Sequence, residues 1–189
     1  MPKVLTVSGV IIRRFGCLFA APVIKFRLCR DGGSIVEHEK YMEMALSLAQ
    51  EAAAAGETPV GCVVVDKNGV IVGKGRNRRE KEKNVLAHAE IEAISQACRA
   101  VNDWRLYDCT LYVTLEPCPM CAGAIINSRL ERIFFGARDA VSGSCGSVIN
   151  LFMENYGQRT QITGGVLKDA CAELLSGFFR EVRERNGRL

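Results

Sequence analysis

Histidine is scarce in this chain: His38 and His88 are the two in 189 residues. They form no H-x₃-H pair, so a centre held by several imidazoles is excluded, and a metal would have to be held mainly by other donors. Long apolar runs are also missing. No stretch approaches the roughly 18 residues that a membrane span requires. There is no internal repeat and no low-complexity segment, which leaves a single domain with a substantial core as the default at this length and a 48% hydrophobic composition. Nor does one sign of charge dominate. Residues 1–36 hold six basic side chains (Lys3, Arg13, Arg14, Lys25, Arg27, Arg30) against Asp31, while the remainder holds 19 basic and 20 acidic residues. Affinity for a polyanion therefore has to come from local patches, not from overall charge.

Cysteine, in contrast, is plentiful. The nine cysteines are an odd number and contain one C-x-x-C, Cys118-Pro119-Met120-Cys121. Taken alone, that motif reads equally well as two small core residues or as half of a four-ligand structural site. Upstream lies His88-Ala89-Glu90, and the joint order H-x-E … P-C-x-x-C is the arrangement of a zinc nucleobase deaminase. No second C-x-x-C exists to close a structural site. Three ligands, His88, Cys118 and Cys121, leave a fourth position of the ion open for water, whose pKa falls to roughly 7 in the best such sites. Glu90 is then the candidate proton shuttle, taking a proton from that water and delivering it to the ring nitrogen and the departing amine. Ligand thiols must stay reduced, so a disulfide-free cytoplasmic protein is expected. Cys62, Cys98, Cys109 and Cys171 fall in apolar patterns and read as small buried hydrophobes; Cys17, Cys29 and Cys145 have no evident place.

The periodicity supplies a frame for these residues. Glu37 to Ala55 reads as an amphipathic helix, with Tyr41, Met44, Ala45, Leu48 and Ala52 on one face and Gly56 as its stop. Val60 to Asp66 and Val70 to Gly75 read as a β-hairpin with an Asn-Gly turn. A charged loop, Arg76 to Asn84, precedes a helix from Ala89 to Ala100. A strand at Thr110 to Thr114 runs into a helix at Met120 to Ile126, with Pro119 in its first turn. Strands at Arg132 to Phe135 and Ile162 to Leu167 and a helix from Asp169 to about Arg185 complete the order. Helices between strands predict an α/β fold of three α-β-α layers around a mixed sheet. Both motif helices would aim their N-termini at the metal, favouring thiolate over thiol.

Residues 1–36 form an N-terminal extension, expected to be disordered or to reflect a non-native start. Arg13-Arg14 before the stretch Phe15 to Ile24 outwardly resembles a signal peptide, although Gly16 and Pro22 interrupt it. The deaminase domain is assigned to residues 37–189, because the catalytic pattern needs nothing before about Ile35.

From about Glu37 to Arg183 the chain resembles the bacterial tRNA adenosine deaminases, within the cytidine deaminase-like zinc nucleobase deaminases. The resemblance is carried by Pro59-Val60-Gly61, by Leu111-Tyr112-Val113-Thr114-Leu115-Glu116-Pro117-Cys118, by Phe135-Gly136-Ala137-Arg138-Asp139 and by Leu174 to Arg180. It implies hydrolytic deamination of the wobble adenosine to inosine in a tRNA anticodon stem-loop, by a homodimer with one Zn²⁺ per subunit. It also implies base contact by Asn77 and main-chain contacts near Pro117 and Cys118. Asp139, within a glycine-bearing segment, reads equally well as a contact to the substrate backbone or as a helix cap. Lys83 to Ala87 departs from the Asp-Pro-Thr-like stretch of many relatives, a difference that bears on loop contacts to flanking nucleotides. Two basic clusters are candidate phosphate grips, Arg76 to Lys83 and Arg180 to Arg188. Each is interleaved with glutamates in the manner of an ordinary solvated face. A deaminase of free guanine, cytosine or nucleosides remains the alternative, and a non-catalytic partner subunit is opposed by the intact Glu90.

Overall fold

Apolar strands buried on both faces organise the structure, a computed structural model that describes residues 35–157 and 159–187. Residues 1–34 of the expected N-terminal extension, Cys17 and Cys29 among them, lie outside the described residues, as does Arg188, while Ile35 and Val36 begin the first helix. In chain order the elements are α1 (Ile35–Ala54), β1 (Gly61–Val65), β2 (Ile71–Arg76), α2 (Arg79–Glu82), α3 (Ala89–Val101), β3 (Thr110–Leu115), α4 (Pro119–Asn127), β4 (Arg132–Ala137), a 3₁₀ turn (Leu151–Met153), β5 (Gln161–Gly164) and α5 (Lys168–Asn186). The sheet runs β2-β1-β3-β4-β5, with β1 antiparallel to both neighbours and β3, β4 and β5 parallel. It is the mixed sheet of the expected three-layer α/β fold, with β5 at one edge.

Alternation divides the core in two. Cys62 and Val64, Leu111 and Val113, and Ile133 and Phe135 face α3 and α4. Val63 and Val65, Tyr112 and Phe134 face α1 and α5. Burying each of the larger apolar side chains contributes about 1.5–3 kcal/mol, and Tyr112 stacks on Phe134 at 5.1 Å between ring centres.

The hairpin turns through Lys67, Asn68 and Gly69, where the sequence placed it, while two other details differ from the sequence reading. Gly69 N–H donates to Asp66 O, Asp66 N–H to Val70 O, and Gly69 alone takes the left-handed conformation, with φ +77°. This is a type I turn followed by a left-handed glycine, fixed by the Asp66 carboxylate, which accepts from the amides of Asn68 and Val70. On α1, Met42 and Ala49 are fully buried while Met44 and Leu48 are only half-buried. The small face of the helix is turned inward because its backbone lies against Gly61, where a Cβ would sit 2.6 Å from the Ala49 nitrogen. The charged loop, finally, contains the helical turn α2. The buried carboxylate of Glu57 anchors its start, accepting from the amides of Glu80 (3.0 Å) and Lys81 (2.7 Å). Composition alone gave no reason to expect a helix so short and so highly charged.

Among the described residues no helix is long and apolar enough to cross a membrane, and the seven described cysteines are free thiols. Cys62, Cys109 and Cys171 are buried as expected, Cys98 is half-buried, and Cys145 also proves to be buried.

Candidate active site

The site is assembled at the end of β3 where the chain turns into α4. β3 ends at Leu115, and Glu116-Pro117 carry the chain to Cys118, which occupies the N-cap of α4 with φ −73° and ψ 171°. Proline at the first helical position costs no hydrogen bond there. His88 occupies the N-cap of α3 with φ −88° and ψ 151°. Neither side chain is spent on capping its own helix, so both are free to point across the gap between the two helix starts. Cys121, fully buried in the first turn of α4, completes the set.

The three donors converge. His88 Nδ1 lies 3.8 Å from Cys118 Sγ and 3.6 Å from Cys121 Sγ, and the three ligand atoms all lie within 4.8 Å of one another. Zinc-to-sulfur and zinc-to-nitrogen lengths in tetrahedral geometry imply a nitrogen-to-sulfur edge of about 3.6 Å. The cluster therefore fits a metal ion held by three protein ligands. Behind it Glu90 is 3% exposed, and its buried Oε2 has no hydrogen-bond partner among the described residues. A lone buried carboxylate oxygen beside a three-donor set fits a site that handles a cation and a proton.

Proton sharing within the cluster is strong. A hydrogen bond from Cys121, helped by His88, pulls the Cys118 thiol down to about 4. The same Cys118–Cys121 contact, with burial, drives Cys121 far up. Its hydrogen bond to Cys118 raises His88, and burial raises Glu90.

A cavity of about 120 Å³ opens over this cluster, and Asn77, His88, Glu90, Cys118 and Asp139 all line it. Asn77 is 7% exposed at the end of β2, with its amide tied to Val60 O. Pro117 is not part of the wall; its carbonyl accepts from the Ser144 amide at 2.9 Å. Asp139 lines the cavity and caps no helix: its carboxylate closes its own loop, accepting from the amides of Val141 and Ser142 and from the Ser142 hydroxyl.

Several wall residues were not singled out from the sequence. Glu116 and Ser142 belong to it, as does Arg79, which was noted only as one of a basic cluster. An acid closing an otherwise apolar strand was the available signal for Glu116. The arginines of the 76–83 segment are engaged with acids: Arg76 with Glu51, Arg78 with Glu92, and Arg79 with Glu80. Such exposed pairs are worth about 0–1 kcal/mol and exchange partners readily.

α3 is seated by β2. Gly73 and Gly75 face its backbone so closely that a Cβ at Gly75 would collide with the Ala89 carbonyl and sit 2.7 Å from the Ala93 nitrogen. Gly75→Ala should thus push the helix start that carries His88 and Glu90 off the sheet. The expected loss is about 1–3 kcal/mol, a fall of about 2–4 °C in melting temperature per kcal/mol for a chain of this size, together with weaker metal retention. A thermal melt with metal analysis checks this; an unchanged melting temperature contradicts it.

Comparison with known proteins agrees with this geometry. Residues 36–183 match the MafB19-like deaminase family. The chain is 45% identical over 152 residues to a tRNA-specific adenosine deaminase of Bacillus subtilis, covering 80% of this chain and 94% of that one. A solved structure from work on A-to-I editing by tRNA:A34 deaminases at the wobble position superposes with a TM-score of 0.69 at 37% identity, over 72% of this chain and 99% of that one. A guanine deaminase from Nitrosomonas europaea superposes with a TM-score of 0.66 at 28% identity, over 74% and 83% of the two chains.

Proposed function

This chain belongs to the MafB19-like deaminase family, and on that footing we propose that it is a tRNA-specific adenosine deaminase converting the wobble adenosine of an anticodon to inosine. The observation that carries the reading is the His88, Cys118 and Cys121 triangle beside the buried Glu90, which lines the same cavity as His88 and Cys118. The overall change is adenosine plus water to inosine plus ammonia. His88, Cys118 and Cys121 would hold one Zn²⁺ per subunit, which when bound would supply the positive charge that acidifies a water at neutral pH. Glu90 would take a proton from the attacking water, deliver one to the purine ring nitrogen, and assist protonation of the amine as the carbon–nitrogen bond breaks. Asn77, fixed at the end of β2, reads the base edge. Backbone groups at Pro117 and Cys118 flank the reacting carbon, and the loop opening at Asp139 meets the RNA backbone. A homodimer acting on the tRNA anticodon stem-loop in the cytoplasm completes the proposal.

A second reading, deamination of a free base such as guanine, is favoured by the likeness to the Nitrosomonas guanine deaminase. One assay separates the two. Inosine formation in an anticodon stem-loop RNA is expected with zinc-loaded protein, with ammonia release from free guanine, cytosine or adenosine at background. Activity confined to the free bases would reverse the assignment.

A further inference from the structure

Glu116 stands one residue ahead of the metal turn, is 2% exposed, and spends both carboxylate oxygens on a single loop, residues 139–147. Oε1 accepts from the amides of Cys145 (2.9 Å) and Ser147 (3.0 Å). Oε2 accepts from the amide of Asp139 (3.2 Å) and from the Ser147 hydroxyl. The neighbouring Pro117 carbonyl accepts from the amide of Ser144, itself fully buried. Gly143 passes so near that a Cβ there would lie 2.6 Å from the Glu116 carboxyl carbon. The loop is thereby fastened to the strand end that also leads to Cys118. Its outer side presents Asp139 and Ser142 to the cavity and leaves Val141 88% exposed beside them.

We infer that Glu116 is a positioning residue for the polynucleotide: it holds the 139–147 loop as a preformed wall against which the nucleotides flanking the reacting base are laid. This rests on the RNA reading above. Four donors facing one carboxyl group require an acceptor at both oxygens, and an ionised carboxylate is the side chain that supplies it. Glutamine keeps the shape but turns one of those acceptors into a donor aimed at donors. Cys121 is held within α4, and the loop reaches Cys118 only through the Pro117 carbonyl, so loosening the loop mainly weakens binding in the ground and transition states alike. Such a loss appears in KM, leaving kcat in place.

The test compares full-length, zinc-loaded wild type with Glu116→Gln and with Ser147→Ala, a milder change that removes one donor and leaves the buried carboxylate intact. On an anticodon stem-loop RNA, KM should rise about tenfold in E116Q and about threefold in S147A, with kcat within about threefold of wild type. Zinc content should be unchanged, and amide hydrogen exchange should quicken across residues 139–147 but not in β3 or α4. If E116Q does not fold, S147A carries the same KM and exchange comparison. Unchanged KM with unchanged loop exchange overturns the inference, and so does a loss of kcat that follows loss of zinc. The exchange measurement needs no substrate. Wild-type protein inactive on the RNA would thus sink the substrate reading, whereas slow, unaltered exchange in the variants would sink this one.

Discussion

Glu90→Gln is expected to yield a folded protein that retains its zinc and turns over anticodon stem-loop RNA roughly 10²–10⁴-fold more slowly than wild type, the range a positioned proton-transfer group contributes. The side chain lies in the first turn of α3, 3% exposed, in the wall of the cavity over the metal ligands. It is not one of the three converging donors, so the amide should leave metal content alone. Stability should move the other way from activity. The Oε2 atom of Glu90 is buried without a partner, and a buried polar group left unpaired costs the folded state about 1–3 kcal/mol. The amide carries no charge to desolvate, so the variant should melt at or above the wild-type temperature. Single-turnover rates, metal analysis and a thermal melt on the same preparation check all three statements. Wild-type turnover in the variant refutes the proton-shuttle role; a drop in zinc content would place Glu90 among the ligands instead.

That opposition of activity and stability also explains which parts of the molecule could be read from its sequence. Wherever a residue does what its own chemistry favours, the pattern was legible: the apolar runs of β1 and β3, the proline that opens α4, and the donors spaced as H-x-E and C-x-x-C. The hidden features all depend on a partner distant in sequence. Met42 and Ala49 turn inward because Gly61, on the next strand, lets the backbone of α1 approach. α2 exists because Glu57, more than twenty residues upstream, holds its first amides. Glu116 reads as a stray acid until the loop at 139–147 folds back to surround it. The glycines of β2 read only as strand residues, yet Gly73 and Gly75 are the floor on which α3 rests. In the site itself the three converging donors and Glu90 were named from their spacing. The wall was only partly so, because Glu116, Arg79 and Ser142 are recruited by tertiary contact.

Removing the metal is expected to abolish turnover and to lower the melting temperature on the order of 10 °C, with both restored by one equivalent of zinc per chain. The size follows from mass action. A ligand that binds the folded chain alone, free at a thousandfold its Kd, contributes about 4 kcal/mol, and a chain of this size loses about 2–4 °C per kcal/mol. The geometry explains why so few ligands weigh so heavily. The starts of α3 and α4 meet at His88 and Cys118, and a bound cation would tie the two helices across the β3 turn. It would also offset the mutual repulsion of two thiolates and the Glu90 carboxylate in a buried space, where each raises the cost of charge on its neighbours. Cys121→Ser should reproduce the metal-free state without a chelator, since only His88 and Cys118 then remain as strong donors in the cluster. Melting curves and inosine yield, measured before chelation, after it and after zinc is returned, decide the matter. Activity that survives thorough chelation, or a site that takes up zinc with a fourth protein side chain bound, would mean that the triangle is structural and that the chemistry resides elsewhere.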